Sequence, residues 1–514
     1  MIRTPSCETA SDLYIRSCQW LGREPLFVDA AERISGAQAL GQSLRFAQGL
    51  TAMGAGAQSV VAFLCRCSAR HAVAWFAGPL SGRISCNLHV RETPQRLGEA
   101  LAWLEAAVLV HDADLDALAE AAIAASGCAI SRVSLGARGG ADVSFAELVE
   151  ASDAFDVLAH RPSPDALGAI ILSSGTTGRP KGVMHTQRTL LENAKAGQHG
   201  FGCLTPHDAV LILMQPSFAA WPIFALPALG GKAKICFRDE FKPAAFLAAI
   251  EQERITIAPL VPTMWRMVFA EDASRYDLSS LKLAVVGGEP PSASDLARMR
   301  AICPGVACTY VASESFMAGS VVAFTDDLVR RGKVGAAGRP AVGADVKIID
   351  PAGGFADEVA IGEIGEIAVS GPSLAAGYWK DAELTRKRFD NGWWRSGDLG
   401  RLDADGYLWV LGRTDNVINT GGIKVSAEEI ELALMKHPQI AQCAVIGRPD
   451  ERFGQRIEAF IVARGAPPDV EELGSFLREK AELAAFKAPK AFHVVDALPT
   501  GPTGKLYRRA LLET

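Results

Sequence analysis

The sequence Ser173-Ser-Gly-Thr-Thr-Gly-Arg-Pro-Lys-Gly182 directly follows the apolar run 169–172, Ala-Ile-Ile-Leu. A short β-branched run of this kind predicts a buried strand that ends at a loop. The three glycines allow backbone turns that a Cβ would obstruct, so N–H groups can converge on an anion. Four hydroxyl groups and the ammonium group of Lys181 add further donors and positive charge. The stretch therefore predicts a loop that binds a polyphosphate.

Two other interpretations of this loop are less favourable. The P-loop of nucleotide hydrolases needs Gly, four residues, then Gly-Lys and Ser or Thr. Here Gly175 is followed by Thr-Thr-Gly-Arg-Pro-Lys, which does not match. A flexible surface loop is a commoner origin of such a composition. The preceding apolar run, the proline next to Lys181 and the motifs described below favour the phosphate loop.

The length and composition predict a globular protein of several domains. The chain has 514 residues, of which 49% are apolar and 21% charged, with a net charge of −6. This length exceeds one ordinary core, and the acidic balance disfavours nucleic-acid partners. The 11 cysteines form no C-x-x-C pair, and no apolar run is long enough to span a membrane. Reduced thiols and the lack of an apolar signal segment near the N-terminus lead us to expect a cytoplasmic protein.

The order of apolar patterns predicts an α/β fold with a large N-terminal body of several subdomains and a small mobile α+β C-terminal lid. Helical and strand-like periodicities alternate over about 1–334, which predicts two α/β layers. Over about 335–412, strand-like runs separated by Gly, Pro and Asp turns predict a small β subdomain without helices between its strands. The predicted body is therefore 1–412 and the lid 413–514, and we find no internal repeat.

Later motifs offer what a bound nucleotide would need. The glycine pair in the run 287–290, Gly-Gly-Glu-Pro, allows the flat approach of a base, and Tyr310 offers a ring for stacking. Glu314 supplies the kind of oxygen that Mg²⁺ prefers, although ordinary surface acidity also explains a single glutamate. Asp398 could accept both ribose hydroxyls, and the planar guanidinium of Arg413 suits ribose and phosphate oxygens.

The C-terminal part carries two further motifs. The run 421–426, Gly-Gly-Ile-Lys-Val-Ser, could let a thin chain pass along the backbone, while a turn that starts a helix is an equal interpretation. The segment 499–505, Pro-Thr-Gly-Pro-Thr-Gly-Lys, presents a lysine on a glycine-containing loop. A lysine near a chain end is usually only solvated.

Together these motifs resemble the adenylate-forming superfamily of acyl-CoA synthetases, luciferases and peptide-synthetase adenylation domains. The pattern is most similar to the acyl-CoA synthetases and covers nearly the whole chain. The run 310–314, Tyr-Val-Ala-Ser-Glu, resembles the family's Tyr-Gly-x-Thr-Glu. The resemblance implies ATP, Mg²⁺ and coenzyme A as cofactors, and a lid that rotates at a hinge between two half-reactions.

The resemblance also implies roles for individual residues. Lys505, Glu314 and Thr177 are expected to act in catalysis, with Glu314 as the magnesium ligand and Asp415 as the hinge. The expected nucleotide-binding residues are Ser173, Ser174, Gly175, Thr176, Thr177, Gly178, Lys181, Gly288, Glu289, Pro290, Tyr310, Ser313, Asp398 and Arg413. The expected coenzyme A contacts are Gly421, Gly422 and Lys424. The expected acyl pocket consists of Phe218, Ala219, Trp221, Gly287, Val311, Ala312 and Phe316.

Three positions depart from the family pattern. Ala219 stands where the acyl-CoA synthetases commonly have histidine and amino-acid activators have aspartate, which disfavours an α-ammonium substrate. In the family this histidine forms an aromatic gate between the acyl and pantetheine sites. Another residue would have to form that gate here, and Trp221 is the candidate. Val311 replaces a pocket glycine and favours a short or compact apolar acid, whereas Ser313 replaces threonine and keeps the hydroxyl.

The resemblance implies an ATP-dependent carboxylate:CoA ligase that forms an acyl-adenylate and then a thioester, in fatty-acid or aromatic-acid metabolism. Three alternatives stay open: transfer to a carrier-protein thiol, luciferase-like oxidation of the adenylate, and a nucleotide-binding relic without catalysis. The spacing of Pro499 and Lys505 resembles the site that bacterial lysine acyltransferases modify in CoA ligases, and acylation would remove the charge. The expected partners are thus a small carboxylate, coenzyme A and such an acyltransferase, and a homo-oligomer stays open.

Overall fold

The computed structural model describes residues 6–173, 181–288, 291–317, 321–420, 423–451, 453–481, 483–484, 487–500 and 506–512, together with Ile2 and Thr4. The chain forms two compact units. One comprises Met1–Val346 with Val369–Trp394, and the other comprises Lys347–Ala368 with Arg395–Thr514. Part of the expected β subdomain therefore groups with the C-terminal segment, and the division at residue 412 stays a prediction.

Helices alternate with strands along the chain, which confirms the α/β class. Several helices begin at a side-chain cap: Thr9, Ser35 and Ser292 each accept a hydrogen bond from the backbone N–H three residues later. None of the helices in the described part of the chain is both long and apolar enough to cross a bilayer. The helices are α1 (Ala10–Leu21), α2 (Gly36–Ala52), α3 (Ala69–Leu80), α4 (Pro94–Leu104), α5 (Asp116–Ser126), α6 (Phe145–Ala151), α7 (Gln187–Gly200), α8 (Ala220–Gly231), α9 (Pro243–Glu253), α10 (Pro262–Val268), α11 (Ala293–Ile302), α12 (Thr325–Arg330), α13 (Ala382–Arg388), α14 (Ala427–Leu434), α15 (Val470–Glu479) and α16 (Arg508–Leu512).

Most of the strands are short, as is usual for sheets in globular proteins. In chain order they are β1 (Pro25–Val28), β2 (Arg33–Ser35), β3 (Val60–Leu64), β4 (Ile84–Asn87), β5 (Ala106–His111), β6 (Ser131–Ser134), β7 (Val143–Ser144), β8 (Leu167–Ser173), β9 (Lys181–Thr186), β10 (Ala209–Ile212), β11 (Lys234–Phe237), β12 (Ile257–Leu260), β13 (Leu283–Gly287), β14 (Gly305–Tyr310), β15 (Val321–Phe324), β16 (Arg339–Pro340), β17 (Asp345–Ile349), β18 (Gly365–Ser370), β19 (Gly377–Tyr378), β20 (Phe389–Asp390), β21 (Trp393–Leu402), β22 (Leu408–Arg413), β23 (Val417–Thr420), β24 (Ile423–Ser426), β25 (Ile440–Asp450), β26 (Gly454–Ala463) and β27 (Ala491–Val494).

Two sheets form the core of the first unit. Their strand orders are β16-β15-β14-β13-β12-β10-β11-β1-β2 and β19-β9-β8-β4-β3-β5-β6-β7. Most neighbouring strands run parallel, so continuous apolar runs such as Val60–Leu64 are buried on both faces. β4 and β8 are parallel neighbours. Their carboxyl ends therefore lie side by side at one edge of the second sheet.

Helix α13 lies within the segment where we expected a β subdomain without helices between its strands. Asp381 caps it by accepting a 2.9 Å hydrogen bond from the N–H of Leu384. None of the residues of α13 is buried. Because it presents no apolar stripe, the periodicity that reveals amphipathic helices was absent from its sequence.

The second unit contains a sheet of strand order β24-β23-β26-β25, with β27 next to β26. Helices α14 and α15 contribute Ile430, Leu434, Leu473 and Leu477 to its hydrophobic core. Earlier in the chain, β21 and β22 pair antiparallel. This arrangement agrees with the predicted α+β character of the C-terminal part.

Candidate functional site

The predicted phosphate loop is bracketed by two paired strands. β8 and β9 run antiparallel, and the register pair nearest the loop joins Ser173 to Lys181. Residues 174–180 lie outside the described residues, and they include the expected ligands Ser174, Gly175, Thr176, Thr177 and Gly178. The structure thus places two of the expected nucleotide contacts, Ser173 and Lys181, opposite each other at the base of the loop.

Gly182 explains why the base of the loop is closely packed. A Cβ at this position would lie 2.8 Å from Cη2 of Trp103, 3.0 Å from Cβ of Trp379 and 3.1 Å from Cγ2 of Ile170. These separations are shorter than an ordinary van der Waals contact between carbon atoms. The backbone next to Lys181 is therefore fixed by side chains that leave room only for glycine.

Tyr378 contacts the two residues expected to bind phosphate and magnesium. Its hydroxyl donates a 2.9 Å hydrogen bond to Oε1 of Glu314, and Nε1 of Trp394 donates to the hydroxyl oxygen over 3.4 Å. The ammonium nitrogen of Lys181 lies 5.8 Å from the centre of the Tyr378 ring, within the range of a cation–π contact. Burial and the charge of Glu314 raise the pKa of Tyr378, so its hydroxyl stays protonated and donates. The structure therefore brings Lys181 and Glu314 to one buried tyrosine.

His185 holds the segment that carries Glu314. Its Nε2 lies 2.8 Å from the carbonyl oxygen of Ser313, and because a carbonyl only accepts, Nε2 carries the proton. The imidazole ring stacks on Phe316 with 3.7 Å between the ring centres. Burial lowers the pKa of His185 to about 4, so the ring is neutral at pH 7. A neutral buried imidazole thus supports the backbone on both sides of Glu314.

Two residues expected in the acyl pocket belong to the core. Phe316 has no exposed surface and adopts a left-handed backbone conformation with φ of +50°. Trp221 also has no exposed surface, and its ring packs against His71 and Trp75 with 5.2 and 5.0 Å between ring centres. Both side chains lie in the interior of the first unit. Trp221 therefore does not line an open passage beside Ala219.

The other expected pocket residues lie at the ends of strands and helices. Val311 and Ala312 follow β14, Phe218 and Ala219 precede α8, and all four are half-buried. Val311 and Ala219 pack against the same hydrophobic cluster of the first unit. Gly287 ends β13, where a Cβ would lie 2.6 Å from a side-chain oxygen of the neighbouring strand β14. Glycine is required there because the two strands approach closely.

The expected adenine contacts are partly described. Gly288 follows β13 with φ of +88°, a conformation that favours glycine. Tyr310 is the last residue of β14 and is half-buried. Glu289 and Pro290 lie outside the described residues. The glycine pair and the tyrosine thus end the adjacent parallel strands β13 and β14, at the same sheet edge.

His89 is a residue of this region that the sequence did not single out. It follows β4, and its ring meets the ring of Phe218 edge-on with 5.5 Å between the centres. Burial lowers the pKa of His89. Two polar atoms shortly before Phe218 in sequence, Oγ of Ser217 and Oε1 of Gln215, are buried without a hydrogen-bond partner among the described residues. Such atoms are typical of places where a ligand or water completes the hydrogen bonding. A single histidine outside any motif gave no signal in the sequence.

In the second unit, Asp398 and Arg413 form the pair that the sequence placed at the nucleotide. They are opposite each other on β21 and β22, and Nη1 of Arg413 donates a 2.9 Å hydrogen bond to Oδ1 of Asp398. The hydroxyl of Thr414 donates to the carbonyl oxygen of Gly397 over 2.9 Å. The side chain of Asp398 is 15% exposed and that of Arg413 43% exposed. A carboxylate and a guanidinium are thus held side by side at the open end of a hairpin.

The expected hinge and lid residues are described only in part. Asp415 lies in the short 3-10 helix Thr414–Asn416, and Lys424 lies in β24. The side chains of these two residues, together with Gly421, Gly422 and Lys505, lie outside the described part of the chain. Their expected roles remain predictions.

The donor set fits magnesium bound together with a nucleotide. Among the described residues, no cluster of three or more His, Cys, Asp or Glu side chains could hold a metal ion. Mg²⁺ commonly takes one or two carboxylates and completes its octahedron with phosphate oxygens and water. Glu314, whose carboxylate is oriented by Tyr378, meets that requirement.

Comparisons with known proteins identify the family of the chain. The family model described as AMP-binding enzyme matches residues 16–379, and the model for the AMP-binding enzyme C-terminal domain matches residues 429–505. Feruloyl-CoA synthase of Amycolatopsis sp is 34% identical over 466 residues, 90% of each chain. Indoleacetate–CoA ligase of Aromatoleum aromaticum is 31% identical over 487 residues, 92% of this chain and 91% of the relative. The solved structure of amide bond synthetase McbA from Marinactinospora thermotolerans superposes with a TM-score of 0.84 at 27% identity and covers 98% of this chain and 99% of its own. The chain belongs to the AMP-binding family of adenylate-forming enzymes.

Proposed function

We propose that the protein is an ATP-dependent acid–thiol ligase that activates a compact apolar carboxylic acid as an acyl-adenylate and transfers the acyl group to coenzyme A. The observation that carries the proposal is the contact of both Lys181 and Glu314 with Tyr378, at the base of the predicted phosphate loop. A cation for phosphate and a carboxylate for a phosphate-bound Mg²⁺ are thereby held close to each other. Distant parts of the sequence supply both groups.

Each half of the chain has a proposed share in holding ATP. The hydroxyl and N–H groups of 173–178 and the ammonium of Lys181 would hold the phosphates, and Glu314 would be the protein ligand of Mg²⁺. When bound, Mg²⁺ would neutralise phosphate charge. Asp398 and Arg413, paired over 2.9 Å, would bind ribose and phosphate oxygens.

The adenylation step needs charge stabilisation more than proton transfer. An oxygen of the ionised acid attacks the α-phosphorus of ATP, the bond to the bridging oxygen breaks, and pyrophosphate leaves. The nucleophile is already an anion, so no general base is required. Lys505 would neutralise oxygens of the reacting phosphate, an effect that is large in an active site with few competing waters.

The second step forms the thioester. The thiol of coenzyme A loses its proton to solvent, and its sulfur attacks the acyl carbonyl carbon. The bond between that carbon and the phosphate oxygen breaks, and AMP leaves with the oxygen and the electron pair. Gly421, Gly422 and Lys424 are the proposed contacts for coenzyme A. A rotation near Asp415 would exchange Lys505 for these residues between the two steps.

The proposed substrate class is a compact apolar acid, with an aromatic acid as the first candidate. Val311 and Ala219 are half-buried, uncharged and packed on one hydrophobic cluster, which favours an apolar acyl group beside them. Two of the relatives act on feruloyl and indoleacetate groups, by name. Phe218, with His89 against its ring, is the proposed aromatic side of the pocket.

The acceptor has a second candidate. One structural neighbour is an amide bond synthetase, which joins its acyl group to nitrogen. A carrier-protein thiol also remains an alternative to coenzyme A. The first half-reaction is the same for all three acceptors.

The function is tested by measuring acid-dependent pyrophosphate release. A panel of aromatic, short-chain and long-chain acids would be assayed with ATP and Mg²⁺, alone and with coenzyme A, a phosphopantetheinyl carrier protein or an amine. We expect the fastest release with a compact aromatic acid, and a thioester product only with coenzyme A. If a thioester or amide forms only with another acceptor, that acceptor replaces coenzyme A in the proposal. Absence of pyrophosphate release with every acid would contradict the ligase function.

A pair of lysine variants makes this test specific. Lys181→Met removes the ammonium over Tyr378 and should slow pyrophosphate release by about 10-fold or more, because a charge-assisted contact to phosphate is lost. Lys380→Met is the matched control, since Lys380 Nζ lies 5.6 Å from the ring centre of Trp379 but outside the predicted nucleotide contacts. Equal losses in the two variants would contradict a role of Lys181 in binding phosphate.

Regulation by acylation of Lys505 is a further part of the proposal. Acylation would convert the ammonium into a neutral amide and stop adenylation. Mass spectrometry after incubation with a bacterial lysine acyltransferase should find the modification at Lys505, and an unmodified Lys505 would exclude it.

A further inference from the structure

The last helix of the second unit begins at a cation that lies between two carboxylates. α16 starts at Arg508, whose Nη2 lies 2.8 and 2.6 Å from the two carboxylate oxygens of Glu431 and 3.6 Å from Oε1 of Glu428. The side chains are 24%, 14% and 21% exposed, respectively. Because all three are mostly withdrawn from water, salt screens their attraction less than that of an exposed pair.

Glu431 is fixed by the sheet as well as by Arg508. The backbone N–H of Val445 in β25 donates a 2.7 Å hydrogen bond to Oε1 of Glu431. Burial raises the pKa of Glu431, and the charge of Arg508 opposes that rise. Without its cation this carboxylate would be a buried charge without an opposite charge beside it, which is strongly unfavourable.

Glu428 connects the same cation to the turn that follows β22. Nδ2 of Asn416, in the short 3-10 helix, donates a 2.5 Å hydrogen bond to Oε1 of Glu428. Oγ of Ser426 lies 3.0 Å from Oε2 of Glu428 and 2.9 Å from the carbonyl oxygen of Leu411 in β22. A series of polar contacts therefore runs from β22 to the start of α16.

The arginine of this ion pair closely follows in sequence the segment 501–505, which lies outside the described residues. Thr500 and Leu506 form an isolated antiparallel bridge on either side of that segment. The N–H of Tyr507 donates a 2.8 Å hydrogen bond to the carbonyl oxygen of Pro499. The arginine of the ion pair is the next residue along the chain, so the bridge and the ion pair together fix the described residues that flank the segment.

We propose that Glu428, Glu431 and Arg508 are positioning residues for adenylation, which fix the base of the 501–505 segment against the turn after β22 and so determine where Lys505 is presented. The inference rests on the proposed function, in which Lys505 acts during adenylate formation. The three residues act through Lys505 and make no contact with substrate. Because a displacement of about 1 Å can cost about 100-fold in rate, a loosened base should slow the step that uses Lys505.

The test separates the two half-reactions in the full-length protein. Arg508→Met is compared with Arg456→Met, which removes an arginine of the same unit that donates to Glu458 over 2.6 Å. One assay follows acid-dependent pyrophosphate release, and the other follows thioester formation from chemically prepared acyl-adenylate and coenzyme A. We expect Arg508→Met to slow the first by about 30-fold and the second by less than about 3-fold, with little effect of Arg456→Met on either.

A conservative variant covers the case in which Arg508→Met does not fold. Arg508→Lys keeps the positive charge beside both carboxylates but loses the planar fork, so it should fold and still slow adenylation by about 5-fold to 10-fold. Equal slowing of both half-reactions in a folded variant, or unchanged adenylation, would overturn the proposal.

Combination with a Lys505 variant gives a second decisive measurement. If Arg508 acts through Lys505, Lys505→Ala/Arg508→Lys should adenylate no more slowly than Lys505→Ala alone. Additive losses would contradict positioning. A wild-type protein that activates no acid would contradict the proposed function itself, whereas an active wild type with fully active Arg508 variants would contradict only the positioning role.

Discussion

The residues that flank the two segments expected to meet the phosphates of ATP are held in different ways. In the first unit, residues 174–180 connect β8 and β9, whose ladder is backed by buried apolar side chains. In the second unit, residues 501–505 are flanked by the isolated bridge between Thr500 and Leu506 and by the ion pair of Arg508. One base rests on shape and burial, and the other rests on a few polar contacts.

This difference indicates how each set of flanking contacts should respond to a substitution. Apolar packing is spread over many atoms, and added volume there forces side chains and backbone to shift. A base made of an ion pair depends on two or three groups, so one substitution can release it. A rigid support suits the loop that is proposed to hold ATP throughout the reaction, and an adjustable support suits Lys505, which is proposed to act in only one step.

The largest effect is expected in the second segment, 501–505. Lys505→Ala should lower the rate of adenylation by about 100-fold to 1,000-fold, because one preorganised positive group at the reacting phosphate is lost. The measurement is acid-dependent pyrophosphate release. Thioester formation from preformed acyl-adenylate serves as the control and should stay within about 3-fold of the wild-type rate. Undiminished adenylation in Lys505→Ala would show that Lys505 takes no part in that step.

Low pH should weaken the apolar packing beside the β8–β9 ladder through His185. Burial lowers the pKa of His185 from 6.5 to about 4, so between these values the unfolded chain binds a proton that the folded chain does not. The stability from the neutral imidazole is complete above about pH 6.5 and is lost as the pH falls towards 4, by up to about 3 kcal/mol.

Urea unfolding from pH 7 to 4.5 tests this dependence. His71 is also fully buried and its pKa is likewise lowered to about 4, so His185→Gln should remove only part of the slope. A slope in His185→Gln identical to that of wild type would contradict the assignment.

Added volume beside the β8–β9 ladder should cost less free energy of unfolding, but the loss should still be measurable. Gly182→Ala places a Cβ within 2.8 to 3.1 Å of Trp103, Trp379 and Ile170, and should lower the free energy of unfolding by about 2 kcal/mol. Gly41→Ala in α2 is the matched control, because no heavy atom lies within 4 Å of its Cβ. Helix propensity predicts that the control is more stable by about 0.5 to 1 kcal/mol. Urea midpoints check both, and equal shifts would show that the base is not closely packed.

The smallest effect is expected for Tyr378→Phe, which keeps the ring under Lys181 and removes the hydroxyl that donates to Glu314. Loss of one hydrogen bond to a carboxylate should cost about 1.5 kcal/mol, seen as a higher Mg²⁺ concentration for half-maximal pyrophosphate release. Unchanged Mg²⁺ dependence would argue against Glu314 as the metal ligand. The response to Lys181→Met should be the same in the Tyr378→Phe background, because the ring is retained.

Several parts of the fold and site were predictable because local patterns report them. The apolar run before Ser173 predicted β8, and the glycines of the loop, with the later motifs, predicted the family that the comparisons confirm. Helix α13 was missed because none of its residues is fully buried and its short sequence carries no apolar period. Trp221 was expected at the pocket because a large aromatic side chain near Ala219 reads the same whether it lines a pocket or fills a core.

Other features needed the packed structure. Tyr378 and His185 gave no signal, because their importance comes from contacts with Glu314 and Ser313 far along the chain. His89 likewise gains meaning only from the ring of Phe218. A lone tyrosine or histidine in a sequence is compatible with a surface, a core or a site.

The sequence by itself determined the α/β class, the family and the residue types available for phosphate, ribose and metal, because periodicity and glycine spacing are properties of short segments. Only the tertiary structure decided that Lys181 and Glu314 meet at Tyr378, that Trp221 is buried, and that Arg508 joins two glutamates of α14. The physical reason is that these contacts depend on which distant segments pack together, and packing is settled by the whole buried surface of a unit.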